Sequence, residues 1–357
     1  MDYDPNNPYS QEQPQGEPTS HQQHAPLPVD SGDRTSRPRK KTSGWRIVWG
    51  IMLFFSVLAN IGLFVMLITV ITVFAAGQRP GLNEVMVREG PSGTKIAVIN
   101  VQGVIHGQLA DDVRSQLKAA AKDGRVKGLI VRINSPGGTI SGSDRIYNEI
   151  RRFRGESGKP VIAFQQGVAA SGGYYASVAC EKIVAEPTAI TGSIGVISWW
   201  LVVQELLEDK LGVLPVTVKS GLKKDWPSSF RPPTSEEVKY MEQRLIEPAF
   251  DRFIDVIVEG RKGVMTRKEI ETAADGGIYV AQQAKDENLI DHIGYLDDAV
   301  ALLKTMAGLG DGRVVEYRKP FSLMDIMSYK ADTLLKFDKS TLYEMSSPQV
   351  LYLWTAY

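Results

Sequence analysis

The pattern of apolar and polar positions divides the chain into distinct stretches. Residues 1–46 hold seven prolines and many Gln, Ser and Asn, with almost nothing apolar. Such a segment cannot bury enough surface to offset its ordering entropy, so it reads as a disordered tail. From Ile47 to Ala76 no residue carries a charge, and Leu, Ile, Val, Phe and Met dominate. About 20 apolar residues cross a bilayer core as a helix, so this run can span one with some tilt. The h-region of a cleaved signal would be about 7 to 15 residues and nearer the N-terminus. Ser56 and Asn60 inside the run are read as polar residues that the span tolerates. Residues 77–92 read as a linker, 93–320 as a folded domain, and 321–357 as a C-terminal tail with apolar clusters, the last being Val350-Leu-Tyr-Leu-Trp354.

Inside the folded stretch the period changes repeatedly. Lys95–Val101, Val126–Ile133 and Pro160–Phe164 are nearly continuous apolar runs, as strands buried on both faces are. Helices are expected over Ala110–Ala121, with Val113, Leu117 and Ala120 on one side, and from about Ser141 to Phe153. Lys182–Ala185 reads as a strand and Thr188–Gly195 as a turn-like stretch. Thr234-Ser-Glu-Glu237 is a capping box heading a long helix. Its apolar face recurs at Val238, Met241, Leu245, Ala249, Phe253 and Ile257, and Pro248 should kink or split it. Helices over Arg267–Ala274 and Leu296–Met306 and a strand over Arg313–Arg318 complete the series. Strand and helix units of this kind predict an α/β domain with parallel pairing.

Charge orients the anchor and excludes some partners. Lys and Arg number 41, as do Asp and Glu, so nothing draws the chain to nucleic acid. Arg34, Arg37, Arg39, Lys40, Lys41 and Arg46 crowd before the apolar run, while only Arg79 and Arg88 follow it closely. The positive-inside rule then puts the tail in the cytoplasm and everything after about Gly77 across the membrane. The single cysteine, Cys180, excludes an internal disulfide and sits in an apolar run that suits a buried structural thiol. His21 and His24 belong to the polar tail. No metal-ligand spacing and no phosphate-cradling loop is present, so neither a metal nor a cofactor is expected.

Candidate chemistry centres on Gly167-Val-Ala-Ala-Ser171-Gly-Gly-Tyr-Tyr175. A strand, a lone hydroxyl and then Gly-Gly at the mouth of a helix put an Oγ beside outward-pointing backbone N–H groups. That seat suits a nucleophile next to an oxyanion hole; a plain Ser N-cap would share the sequence. Asn134-Ser-Pro-Gly-Gly138 reads as a tight loop whose Gly138 N–H could face Ser171 together with the N–H of Gly172, although S-P-G-G is also an ordinary turn signal. As a base, His106 closes a strand far upstream and His292 suits a half-buried structural site. A lysine held neutral can replace histidine, and Lys219-Ser-Gly-Leu-Lys-Lys-Asp-Trp-Pro227 supplies three, among which composition does not choose.

Asn134-Ser-Pro-Gly-Gly138, Ala169-Ala-Ser-Gly-Gly-Tyr-Tyr175, Thr191-Gly-Ser-Ile-Gly-Val196 and Lys219-Ser-Gly-Leu-Lys-Lys-Asp225, in this order and spacing, resemble the signal peptide peptidase A family. These are bacterial membrane-anchored serine proteases of the ClpP/crotonase fold, and the likeness covers roughly residues 93–320. The resemblance implies Ser171 as nucleophile, Lys224 as general base, Ser193 as the residue that positions the lysine, and Gly138 and Gly172 as the oxyanion hole. Lys223 is the alternative base, because the Lys-Lys pair departs from the expected spacing by one residue. The resemblance further implies the short form with one protease domain, assembled as a ring or dome, an octamer being one such form, with each site completed between subunits.

The expectation is a single-pass endopeptidase of the bacterial inner membrane. Its N-terminus is cytoplasmic and its protease domain extracytoplasmic, where it degrades hydrophobic remnants of signal peptides. The competing readings are a crotonase-like acyl-CoA enzyme and a catalytically silent anchored scaffold.

Overall fold

The computed structural model describes residues 44–77, 82–319 and 349–354. Most of the N-terminal tail, with His21 and His24, lies outside the described residues, as does most of the C-terminal one. The chain divides into two units, one ending at Gly77 and the other beginning at Gln78. The first unit contains α1, Gly44–Gly77, one uninterrupted helix with no acidic residue in its first turn and no basic residue in its last. Its segment Gly44–Thr72 is long and apolar enough to cross a membrane, and none of it is buried in protein. Asn60 Nδ2 donates to the Ser56 carbonyl one turn back at 2.7 Å, so this polar side chain is satisfied within its own helix.

The second unit is an α/β domain. In chain order it runs β1 (Asn83–Arg88), β2 (Lys95–Gln102), α2 (Gly107–Lys122), β3 (Val126–Ser135), β4 (Gly137–Thr139), α3 (Ile140–Ser157), β5 (Val161–Ala170), α4 (Gly172–Ser177), β6 (Lys182–Ala185), β7 (Ile190–Gly192) and β8 (Ile197–Trp199). Then come α5 (Ser235–Met241), α6 (Glu247–Gly260), α7 (Arg267–Ala273), β9 (Ile278–Val280), α8 (Ala281–Asp286), β10 (His292–Ile293), α9 (Leu296–Met306), β11 (Arg313–Arg318) and β12 (Gln349–Leu353). The main sheet has the order β1-β11-β2-β3-β5-β6-β10. Along that path all pairs are parallel except the edge pair β1 with β11; off it, β7 lies parallel to β5 and β9 antiparallel to β7.

Alternation along the central strands feeds two cores, one on each face of the sheet. Ala97, Ile99, Val101, Leu129, Val131 and Ile133 face α2 and α3. Ile96, Val98, Ile130, Ile162 and Phe164 face Ala299, Val300 and Leu303 of α9. Burial on both faces is why these strands read as unbroken apolar runs rather than as alternating ones. The long helix expected from Thr234 is split before Pro248. α5 begins with the expected capping box, Glu242–Ile246 form a π-helical turn, and α6 resumes with Pro at its start.

Three stretches differ from the sequence reading. The residues read as a linker contain β1, whose side chains are all exposed and so leave little apolar signature. Asn134–Gly138 is not a closed loop, because β3 continues to Ser135 and β4 starts at Gly137. The last apolar cluster of the tail is β12, laid between β4 and β8 in a second, three-stranded sheet.

Candidate active site

The sheet forks at the end of β5, and the fork builds the site. The first half of β5 pairs with β6 and its last residues pair with β7, Ala169 opposite Thr191 and Ala170 opposite Gly192. The residues that follow the last pair are Ser171 and Ser193. Ser171 N–H donates to the Gly192 carbonyl at 2.7 Å, and Ser193 N–H donates to the Gly277 carbonyl at 2.6 Å. Thr191 Oγ1 closes the seam by donating to the Ala169 carbonyl at 2.8 Å. The stretch read as turn-like over Thr188–Gly195 therefore contains a short strand.

Both serines have left-handed backbone, with φ of 52° at Ser171 and 48° at Ser193. Positive φ costs a non-glycine residue roughly 1–3 kcal/mol and persists only where the surroundings impose it, which happens most often at functional sites. Ser171 stands at the N-cap position of α4, and its carbonyl accepts the Tyr175 N–H at 2.8 Å, but its side chain makes no capping hydrogen bond. Both side chains are buried, Ser171 at 1% and Ser193 at 8% exposure.

The glycines around Ser171 are required by close backbone approach. A Cβ on Gly138 would lie 2.0 Å from the Ile105 carbonyl oxygen, because Gly138 bridges to Ile105. Gly137 has φ of 99°, and a Cβ there would come within 2.7 Å of the Gly172 nitrogen. On Gly172 it would strike Ser143 Oγ at 2.3 Å. These contacts bring the Gly137–Gly138 backbone against the first residue of α4. Tyr174 and Tyr175 then anchor that helix. Tyr174 Oη donates to the Leu289 carbonyl at 2.9 Å and Tyr175 Oη to Asp144 at 2.7 Å. Burial, first, and then the neighbouring Asp144 push the Tyr175 phenol well above its usual range, so it remains a neutral hydrogen-bond donor.

The structure brings Ser171, Ser193, Gly138 and Gly172 together. It does not add a lysine to them. Lys224 is exposed on a short 3₁₀ turn, Leu222–Asp225; its backbone N–H donates to the Gly221 carbonyl, and its side chain makes no hydrogen bond or ion pair among the described residues. Its neighbours are engaged. Lys219 pairs with Asp225 at 2.6 Å, and Lys223 Nζ lies 4.3 Å above the Tyr240 ring and 5.2 Å above that of Trp226. Neither histidine joins the site. His106 Nδ1 accepts the Leu109 N–H at the head of α2, and His292 is exposed on β10. Cys180 is buried, and that burial pushes its thiol far above the normal range, as suits an inert packing residue. Among the described residues no cluster of His, Cys, Asp and Glu could hold a metal ion.

Residue-level reading missed β12. Tyr352 is completely buried, with its ring stacked on Tyr175 at 5.1 Å and tilted against Phe253 at 4.7 Å. Only the apolar run Val350–Trp354 hinted at it. A groove of about 350 Å³ opens beside the strand, lined in part by Ser193, Val196, Ile246, Phe250 and Leu353.

Comparison with known proteins agrees with this geometry. The profile of peptidase family S49 matches residues 154–310, and that of Clp protease matches residues 94–190. The chain is 38% identical over 248 residues to a putative signal peptide peptidase SppA of Enterococcus faecium, covering 66% of this chain and 71% of that protein. It is 34% identical over 243 residues to Protease 4 of Salmonella typhi, covering 66% of this chain and 38% of the relative. It is also 30% identical over 236 residues to the chloroplastic serine protease SPPA of Arabidopsis thaliana, covering 65% and 34%. The chain thus spans little more than a third of the length of the last two. Two overlapping family profiles and a relative matched over most of its length agree with a forked α/β sheet ending in a strained serine: the chain belongs to peptidase family S49 and is a serine peptidase with a Clp-protease-like fold.

Proposed function

We propose that Ser171 is the nucleophile of a membrane-anchored Ser/Lys endopeptidase that degrades hydrophobic peptides, among them remnants of signal peptides. The observation that carries the reading is the left-handed Ser171 at the end of β5, adjacent to Ser193 and to the glycine backbone of β4. In this reading Ser171 Oγ attacks the peptide carbonyl and passes its proton to a neutral lysine amine. The N–H groups of Gly138 and Gly172 receive the developing oxyanion, in a site dry enough for such donors to count heavily. The lysine then protonates the leaving amine, and water hydrolyses the acyl-enzyme by the reverse relay.

Lys224 is the favoured base. Lys223 is held over two aromatic rings and Lys219 by Asp225, whereas Lys224 is uncommitted among the described residues. Since Lys224 does not meet Ser171 of its own chain, the base comes from a neighbouring subunit, with Ser193 positioning it. The segment that carries it supports an assembly, because Leu211, Leu214, Val216, Val218 and Leu222 are all more than half exposed. α1 serves as the membrane anchor, with the basic residues Arg34 to Arg46 on the cytoplasmic side. Tethering gives the domain a high effective concentration towards peptides left in the bilayer.

The test is turnover of a synthetic signal peptide by the full chain, with Ser171→Ala alongside. Full activity in that variant would remove the nucleophile.

A further inference from the structure

The groove that Ser193 lines contains a single charge. Its walls include Val196, Ile246, Phe250 and Ala274, and Asp275 is the one charged residue along it. Asp275 stands in the turn between α7 and β9, and its Oδ1 accepts the Gly277 N–H at 2.7 Å. The Gly277 carbonyl in turn accepts the Ser193 N–H at 2.6 Å. Two hydrogen bonds therefore tie the carboxylate to the same frame as Ser193. That turn contact uses one carboxylate oxygen. The other has no hydrogen-bond partner, and Asp275 enters no ion pair, among the described residues. The recess on its far side, toward Tyr279, is lined by Asp286 and Glu287 and by no Lys or Arg.

A carboxylate at the end of an apolar wall complements one kind of side chain. Lysine and arginine lay a methylene stem along apolar surface and keep the charged head on a polar partner. The lysines of the exposed segment are otherwise engaged: Lys219 pairs with Asp225, Lys223 lies over two rings, and the reading above gives Lys224 to Ser171. The occupant that remains is the peptide being cut. We propose that Asp275 is a specificity residue that receives the cationic end of a substrate lysine or arginine, so that the enzyme favours apolar peptides with one basic residue close to the cut. The inference rests on Ser171 as nucleophile and deepens the substrate class. Signal peptides have this composition where their basic n-region meets the apolar h-region, which places the favoured cuts near that junction.

The test uses synthetic peptides of one apolar sequence, turned over by the full chain in detergent. A single lysine is walked through the positions on both sides of the cut, with norleucine as its uncharged counterpart. At one position lysine should raise kcat/KM over norleucine by about threefold to fivefold, the weight of one partly exposed ion pair, and added salt should erode that ratio. Asp275→Asn keeps an oxygen for the Gly277 N–H and removes only the charge, so its ratio should fall to about one. Asp275→Lys should favour glutamate over glutamine at the same position. Asp275→Ala also loses the turn contact and should lower kcat on lysine and norleucine peptides alike. If wild type cuts the series with no preference for lysine, or Asp275→Asn keeps the preference, Asp275 does not read the substrate and Ser171 stands. If Asp275→Asn instead weakens assembly in sedimentation with the ratio unchanged, the carboxylate serves a subunit contact and the proposal is wrong. If wild type cuts none of the peptides, or Ser171→Ala cuts them equally well, Ser171 as nucleophile falls and this inference with it.

Discussion

Two parts of the protease domain contrast in how they are held. The end of β5 is fixed from every side: Ser171 is bonded to β7, Gly138 is in contact with Ile105, and Tyr174 is tied to Leu289. The stretch from Leu201 to Asp225 has no such frame. It contains one π-helical turn and one 3₁₀ turn with no buried residue, and Val218 is 95% exposed. The nucleophile side is thus fully specified by its own chain. The side that carries Lys224 exposes apolar surface that the described residues leave uncovered. In the reading proposed above, half of the chemistry is a property of the fold and the other half a property of the assembly.

The largest effects should come from separating those halves. Ser171→Ala and Lys224→Ala should each reduce kcat by a factor on the order of 10⁵ to 10⁶, the scale seen when a member of a cooperating catalytic set is removed. Lys223→Ala should cost far less. Mixing the two inactive chains, with subunit exchange verified, should restore part of the peptide turnover, because some interfaces pair an intact Ser171 with an intact Lys224. An inert mixture would put the dyad within one chain and erase the contrast drawn above.

Next in size are changes to the frame. Arg261 and Asp291 form a buried pair at 2.8 Å, with Arg261 also donating to the Asn288 carbonyl. Arg261→Ala leaves the buried carboxylate with only Lys182 and the Ile183 N–H as partners and should cost up to about 3–5 kcal/mol in chemical denaturation. A loss below about 1 kcal/mol would show that water reaches the pair.

How much of this was legible follows the same division. α2, α3, α9 and the central strands were readable because burial on one stripe or both faces writes a period into the sequence, and α1 was readable as an uncharged apolar run. Ser171 with its glycines was readable because close backbone approach admits only glycine at Gly138 and Gly172. β1 was not, since an edge strand with every side chain exposed has little to distinguish it from a linker. β12 was not, because its worth lies in pairing with residues 150 or more positions away and no local pattern reports a distant partner. The lysine was legible only as one of three, as an exposed segment imposes no packing constraint on which of them is used.

A smaller effect tests the frame by pH. Burial alone would raise the Asp291 pKa, but the Arg261 charge, with hydrogen bonds from Arg261, the Ile183 N–H and Lys182, outweighs it and holds the carboxyl below its ordinary range. A carboxyl that binds its proton more weakly folded than unfolded adds stability above the unfolded pKa, and that stability is lost as pH falls through the folded value. Tm should therefore drop on acidification below about pH 4. Asp291→Asn should be less stable at neutral pH and show a flatter acid limb. Parallel limbs in the two proteins would assign the acid sensitivity elsewhere.

The smallest expected effect on stability is also the sharpest probe of the exposed side. Val218 is 95% exposed, so Val218→Ser should change the unfolding free energy of a dissociated subunit by no more than about 0.5 kcal/mol. If its segment packs on a neighbour, the same change removes apolar area from an interface and weakens assembly. Activity should then depend on protein concentration more steeply in the variant than in wild type, and recover when concentration is raised. Sedimentation run beside peptide turnover measures both on one sample. Equal assembly and equal activity across the dilution series would mean that the apolar segment faces something other than a second subunit, and that Lys224 reaches Ser171 by a movement of its own chain.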